Sequence, residues 1–216
     1  MKQTTILALI TFSLFTSTTF SQNSDIEFGL KGGVNYAKFT PNPSIRGIEL
    51  AQYQRKFGFY VGGYSNFTLS EKFKIQPELL FALQGSVFLI EDIEIRESAD
   101  ELPIVGDFKT KITETTISVP VVAKYYVTNT FYLEAGPQFG FIINREDKVI
   151  ESLSDDPNFN TRPDFDYDIF DFGVALGVGL KLTEQLSLNS RYFIGLIKRD
   201  DSVKSSVFNL GVEYGL

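Results

Sequence analysis

From Phe170 to Leu182 the chain reads F-D-F-G-V-A-L-G-V-G-L-K-L. Every even position (Phe170, Phe172, Val174, Leu176, Val178, Leu180, Leu182) is large and apolar, and the odd ones are Asp171, Gly173, Ala175, Gly177, Gly179 and Lys181. Strict period two is a strand pattern, because successive side chains of an extended chain point to opposite faces. A helix would mix the two sets around its surface. One face here is continuous hydrocarbon and the other is small or charged. A soluble sheet would put long polar side chains on that second face; glycines there suit a crowded interior of small radius, and lipid becomes the natural partner of the apolar face.

The first 21 residues read as a signal peptide. Lys2 supplies a positive start, Ile6 to Phe15 is mostly apolar, and Thr19 and Ser21 place small residues at −3 and −1 before Gln22. The domain division is therefore 1–21 leader and 22–216 barrel. Thr11, Ser13 and Thr16 to Thr19 break the apolar run well short of the roughly 20 residues of a spanning helix. No later segment reaches that length either, so membrane residence must be as strands. The chain has no Cys, which removes a disulfide scaffold. Having no His as well, it lacks the commonest general base and the usual zinc ligands, so neither an enzyme nor a cofactor is expected. A formal charge of −7 disfavours nucleic acid as a partner.

After Gln22 the same alternation recurs in Ile26 to Lys38, Phe57 to Leu69, Phe73 to Val87, Thr115 to Val127, Phe131 to Ile143, Leu186 to Ile197 and Phe208 to Leu216. With Phe170 to Leu182 that makes eight strands. Three connections are short: Ser70-Glu71-Lys72, Thr128-Asn129-Thr130 and Thr183-Glu184-Gln185. The other four, Thr40 to Lys56, Phe88 to Glu114, Asn144 to Asp168 and Lys198 to Lys204, are longer. Such alternation predicts an all-β fold: an eight-stranded antiparallel up-and-down transmembrane β-barrel with short periplasmic turns and long outer loops. Phe67, Phe73, Tyr125, Phe131 and Tyr214 fall near the short turns, where an aromatic girdle belongs. Pro77, Pro120 and Pro137 lie inside strands, and bulges that shift the in/out parity are expected at them.

Several of these stretches resemble a known family. Lys31-Gly32-Gly33-Val34-Asn35, Ile75 to Leu80 followed by Gln84-Gly85, Ser118 to Tyr126, Glu134-Ala135-Gly136-Pro137-Gln138, and Arg191-Tyr192 with Gly195-Leu196 are similar to the outer-membrane β-barrel family of Bacteroidota. That family is often called porin family or PorT-like and has barrels of the OmpX and OmpA kind. The resemblance implies a small barrel in the cell outer membrane with no established activity. The C-terminus resembles the signal read by the barrel-assembly machinery, through Asn209, Gly211, Tyr214 and Leu216, with Leu where Phe is usual.

The alternation turns Glu27, Glu78, Glu134, Asp171 and Glu213 inward, together with Lys31, Lys124, Lys181 and Arg191. An eight-stranded barrel is just filled by side chains, so these charges are expected to pair. Tyr60, Tyr64, Tyr126, Tyr132 and Phe193 share that interior, which predicts a plug and no solute path. A catalytic carboxylate pair is the alternative, and the absent His weighs against it. The second and third long loops are acidic; Asp156, Asn158 and Asn160 have the one-three-five spacing of a calcium loop but lack its central Gly and closing Glu. Both acidic stretches read as solvated loops; divalent cations bridging their carboxylates to lipid phosphates are the alternative.

The function this supports is a monomeric barrel with a structural or adhesive role. Its loops would meet lipopolysaccharide, a surface or a protein partner. A PorT-like accessory of protein secretion is the alternative. A soluble lipocalin-like carrier, with the apolar face turned inward around a ligand, is a third reading.

Overall fold

The computed structural model describes residues 26–95, 103–152, 168–199 and 203–216. The leader and the calcium-type spacing Asp156, Asn158 and Asn160 lie outside the described residues. Among the described residues all regular elements are strands: β1 (Ile26–Thr40), β2 (Ser44–Ile45), β3 (Ile48–Glu49), β4 (Gln52–Ser70), β5 (Phe73–Ile95), β6 (Ile104–Tyr126), β7 (Phe131–Glu151), β8 (Phe170–Lys181), β9 (Leu186–Gly195) and β10 (Lys204–Gly215). The eight long ones form a closed antiparallel barrel in meander order, sealed where β1 pairs with both β4 and β10. Closure matters because lipid offers no partner to an unpaired strand edge. In the first long loop, β2 and β3 make a separate hairpin whose turn residues Arg46 and Gly47 both have positive φ (52° and 84°), the geometry of a two-residue type I′ turn.

The predicted faces hold. Phe28, Leu30, Val34, Leu176, Val178, Leu210 and Val212 point out and are exposed, whereas Lys31, Asn35, Ala175, Asn189, Arg191 and Glu213 point in and are buried. A polar interior within an apolar wall contradicts the soluble-carrier reading, which needs the reverse. The girdle near the short turns is formed by outward aromatics, with Phe73 and Tyr125 in ring contact at 4.9 Å. Two of the short turns are closed alike. Thr128 Oγ1 accepts from the Phe131 amide at 2.9 Å, and Thr183 Oγ1 accepts from the Leu186 amide at 2.9 Å.

Two expectations are corrected. None of the three prolines carries a bulge. The β5/β6 ladder runs Pro77↔Val121 and resumes at Leu80↔Ser118 in the same register, β6/β7 does the same from Pro120↔Gln138 to Ala123↔Ala135, and Pro137↔Val174 sits in an unbroken ladder. In an antiparallel ladder a residue's N–H and C=O address one neighbour, so a proline interrupts one side locally without inserting a residue. The register shifts lie elsewhere: between Arg55 and Phe59, Thr68 and Ser70, Ile90 and Ile93, Lys109 and Thr110, and Thr115 and Thr116. Four of the five stand on the long-loop side, where the strands leave the apolar belt. Second, β5, β6 and β7 are much longer than the alternation suggested, whereas β8 and β9 stop slightly short of it. Most of Phe88 to Glu114, expected as loop, is ladder between β5 and β6, and β7 continues to Glu151. A tilted strand crosses a bilayer in about 9–11 residues, so β5 and β6, at 23 residues each, project well beyond it.

The outward face yields a direct test. Arginine in place of Leu176 or Val178, mid-belt on β8, should cost about 2–4 kcal/mol on refolding into lipid, and arginine in place of Val105 on the projecting part of β6 should cost about 0–1 kcal/mol. Equal costs at the two heights, measured by reversible denaturation in vesicles, would refute the assigned belt.

Candidate functional site

The barrel interior concentrates the chain's buried polar chemistry. At its centre lie six charged side chains, each no more than 3 % exposed: Glu78, Glu134 and Glu213 against Lys31, Lys124 and Arg191. Three of each sign cancel. They come from six different strands, which only closure of the barrel brings together. Arg191 is the hub. Its Nη1 and Nη2 donate to Glu78 Oε2 and Oε1 at 2.8 and 2.7 Å, and its Nε donates to Glu134 Oε1 at 2.6 Å. Lys31 joins Glu78 (3.2 Å) to Glu213 (2.9 Å), and Lys124 donates to the other oxygen of Glu213 at 2.6 Å. Neutral donors complete the set: Gln76 to Glu78 at 2.7 Å, Asn189 to Glu134 at 2.8 Å and the Tyr132 hydroxyl to Glu213 at 3.2 Å. The Lys124 ammonium also sits 4.4 Å above the Tyr132 ring.

Glycines make these reaches possible. In register, Gly177 of β8 separates Glu134 on β7 from Arg191 on β9. A Cβ at Gly177 would lie 2.6 Å from Glu134 Oε1 and 2.7 Å from the Ser190 carbonyl oxygen, so the ion pair passes over β8 only because nothing projects there. Gly179 likewise makes room for the Tyr132 ring.

Nearer the long loops is a second network. Arg199 Nη1 and Nη2 donate to the two Glu114 oxygens at 3.0 and 3.2 Å, and Nη2 donates to Ser205 Oγ at 2.9 Å. Asp171 Oδ2 stands 3.7 Å from Arg199 Nε, and Arg145 Nη1 lies 3.9 Å from Glu114. The Arg199 guanidinium lies 5.2 Å from the centroid of the Phe39 ring; Phe39 clusters with Ile112 and Val203, against which Tyr53 and Phe88 pack. Those apolar side chains close the outer mouth. Between the networks, a cavity of about 20 Å³ is lined by residues that include Tyr60 and Asn189, whose hydroxyl and Oδ1 have no protein hydrogen bond; it has room for about one water molecule. Among the described residues these side chains fill the middle and the long-loop end of the lumen.

Of the nine predicted interior charges, seven are buried: Lys31, Glu78, Lys124, Glu134, Asp171, Arg191 and Glu213. Two are corrected. Glu27 is exposed at the short-turn rim, where it pairs with Lys74 at 2.7 Å, and Lys181 is half-buried beside the open cavity of about 260 Å³ at that mouth. Both sit on inward positions of strand ends, where the lumen opens to water. Tyr60, Tyr64, Tyr132 and Phe193 are buried as expected, and Tyr126 is half-buried at the same mouth. Glu114 and Arg199 were missed because they fell in stretches read as loops. Continuing the even parity of Thr116 and Ser118 to Glu114, or the odd parity of Phe193 and Gly195 to Arg199, would have found both. Among the described residues no group of three or more His, Cys, Asp or Glu is placed to hold a metal ion. Asn209 and Gly211 face in while Tyr214 and Leu216 end the outer wall, where the Leu216 amide donates to the Phe28 carbonyl at 2.9 Å.

A family model described as outer membrane protein beta-barrel domain matches residues 20–201. No curated protein matches the sequence. Among solved structures, the chain resembles the attachment invasion locus protein Ail of Yersinia pestis, crystallised with the heparin analogue sucrose octasulfate (18% identity, 88% of this chain and 99% of that one, TM-score 0.44). It also resembles Neisserial surface protein A (13%, 87% and 96%, 0.44) and OprG of Pseudomonas aeruginosa (13%, 88% and 95%, 0.45). At these scores the likeness carries no argument, and the architecture rests on the strand pairing itself.

Replacing Arg191 by alanine strips Glu78 and Glu134 of a shared cation and should destabilise the barrel by about 3–5 kcal/mol in lipid-based unfolding. Leucine at Glu134 and Arg191 together should cost less than the single alanine change, since it removes one charge of each sign and leaves Lys31 with Glu78 and Lys124 with Glu213. Gly177→Ala should cost about 1–3 kcal/mol through overpacking; a neutral result in the same assay would show that Arg191 does not reach Glu134 over β8.

Proposed function

Because the chain belongs to the outer membrane protein beta-barrel domain family, we propose that it is a small barrel with a plugged interior whose role is structural, adhesive or surface-interacting, exercised through its long acidic loops. Its place is the cell outer membrane, with the outward wall in lipid. The observation that carries the reading is the filled lumen. Two ion networks and the Phe39, Ile112 and Val203 closure occupy it, so the surface left for partners is on the outside. The projecting ladder of β5, β6 and β7 presents exposed Glu91, Asp92, Glu94 and Glu146. Lys109 braces it by bonding to Glu151 (2.6 Å) and Asp107 (3.5 Å), and the Glu151 hydrogen bond holds its ammonium pKa above the usual lysine range. The chain acts without catalysis, as a monomer, and offers Asn209, Gly211, Tyr214 and Leu216 to the barrel-assembly machinery. Lipopolysaccharide is its neighbour in the outer leaflet.

A role as a PorT-like accessory of secretion in Bacteroidota is the second reading. It is supported by the motifs around Lys31 to Asn35, Ser118 to Tyr126 and Glu134 to Gln138. Purified protein in a planar bilayer should give at most small, unstable currents; steady porin-sized steps would refute the plug. Affinity capture from native envelopes separates the two readings, since secretion components recovered in fixed proportion would favour the accessory.

A further inference from the structure

On the outside of the wall, four aromatic residues are consecutive cross-strand partners: Phe57 on β4, Tyr36 on β1, Phe208 on β10 and Tyr192 on β9. Such a row marks the depth at which a membrane gives way to headgroups. Just beyond it, toward the long loops, three cations gather. Lys38 and Lys204 occupy outward positions of β1 and β10, and the pairs Lys38↔Ser206 and Thr40↔Lys204 make them diagonal neighbours, roughly 7–8 Å apart. Arg55 reaches in from β4. Its Nη1 donates to the Tyr36 carbonyl at 3.0 Å, its guanidinium stands 5.5 Å from the Tyr36 ring centroid, and its Nη2 lies 3.5 Å from the Tyr192 hydroxyl. The Tyr192 hydroxyl is in turn hydrogen-bonded to Ser206 Oγ.

These cations differ from those inside. The interior bases are matched by carboxylates, whereas among the described residues neither Lys38 nor Lys204 has an ion pair, and Arg55 bonds only to neutral oxygens. This happens in a chain whose formal net charge is −7. Directly below them the wall is hydrocarbon, with Val34 and Leu210 paired across β1 and β10 and both exposed. Unmatched cations above, an aromatic ring at the boundary and aliphatic wall beneath follow the order of a phosphorylated lipid: headgroup, interface, acyl chain. Basic side chains at that level are drawn to anionic headgroups, and a phosphate can accept charge-assisted hydrogen bonds from both lysines at once.

We propose that Lys38, Lys204 and Arg55 form a site on the outer wall for the phosphate-bearing headgroup of an outer-leaflet lipid, with Tyr36 and Tyr192 setting its depth. The site rests on the outer-membrane reading above and adds to it a fixed lipid position between β9 and β4. Arg55, already held by Tyr36 and Tyr192, is the rigid side of the site; the two lysines close on the ligand.

The test uses the full chain in phosphatidylcholine vesicles with and without lipid A, whose headgroup carries phosphate monoesters, and native mass spectrometry to score retained lipid. The wild type should retain lipid A in preference to phosphatidylcholine. Lys38→Gln combined with Lys204→Gln should weaken retention by at least about tenfold, the effect of losing charge-assisted hydrogen bonds. Insertion and thermal unfolding in phosphatidylcholine alone should not change. Lys72→Gln, the same charge change at the opposite rim, should retain lipid A like the wild type. Undiminished retention by the double variant, equal retention of dephosphorylated lipid A, or displacement by equimolar inorganic phosphate would each overturn the site, the last by making it a free-anion site. Failure of the wild type to insert at all would instead bring down the outer-membrane reading beneath it.

Discussion

Everything in this barrel depends on the neutralisation of charge inside a lumen packed by side chains, with room between its two networks for about one water molecule. An unpaired charge there is penalised by several kcal/mol, and pairing repays that only if geometry is good and the remaining lone pairs find donors. Arg191 meets both conditions with a bidentate contact to Glu78 and a third bond to Glu134. Lys31 and Lys124 extend the same network to Glu213, so five strands beyond β9 are tied to that one guanidinium. The network gives the closed register a reason. A slip of β9 by one residue would turn Arg191 into the apolar wall and Tyr192 into the lumen.

The backbone is shaped around this requirement. Inward glycines occur where a long side chain from a neighbouring strand must lie across, as at Gly177 under the Arg191 and Glu134 contact and at Gly179 beneath Tyr132. Substituting small for large across facing strands lets a barrel of eight fill completely without a bulky residue at every position. The outer wall has a simpler task. It presents hydrocarbon at mid-height, aromatics at the two boundaries and cations at the long-loop edge, an order that matches the layers of a bilayer leaflet.

Function follows from what is closed and what is open. The lumen holds Phe39, Ile112 and Val203 at one end and paired charge at its middle, the basis of the proposal that it carries no solutes. The open surfaces are the projecting ladder of β5 to β7 and the wall itself. Acidic groups gather on the former and unmatched lysines on the latter, so the two surfaces suit different partners: a soluble or surface partner above the membrane, and lipid headgroups beside it.

Alternation with period two was enough to determine the eight strands, their faces and seven of the nine interior charges, because each inward or outward choice is local to its strand. The same alternation implied closure, since lipid does not tolerate edges. What the sequence could not determine is which charges meet. Glu78 and Arg191 are 113 residues apart, and their contact exists only because β5 and β9 face each other across the lumen. Strand ends were a different case: the parity ran on through Glu114 and Arg199, but both looked like loop residues until the ladder of β6 and the bridge of Arg199 to Val203 enclosed them. The prolines show the converse. Their chemistry suggested bulges at Pro77, Pro120 and Pro137, but neighbouring strands held the register on both sides, and the bulges went to the places where strands emerge from the belt. Local pattern decided the faces; only the closed ring, by bringing distant strands around one narrow space, decided the partners.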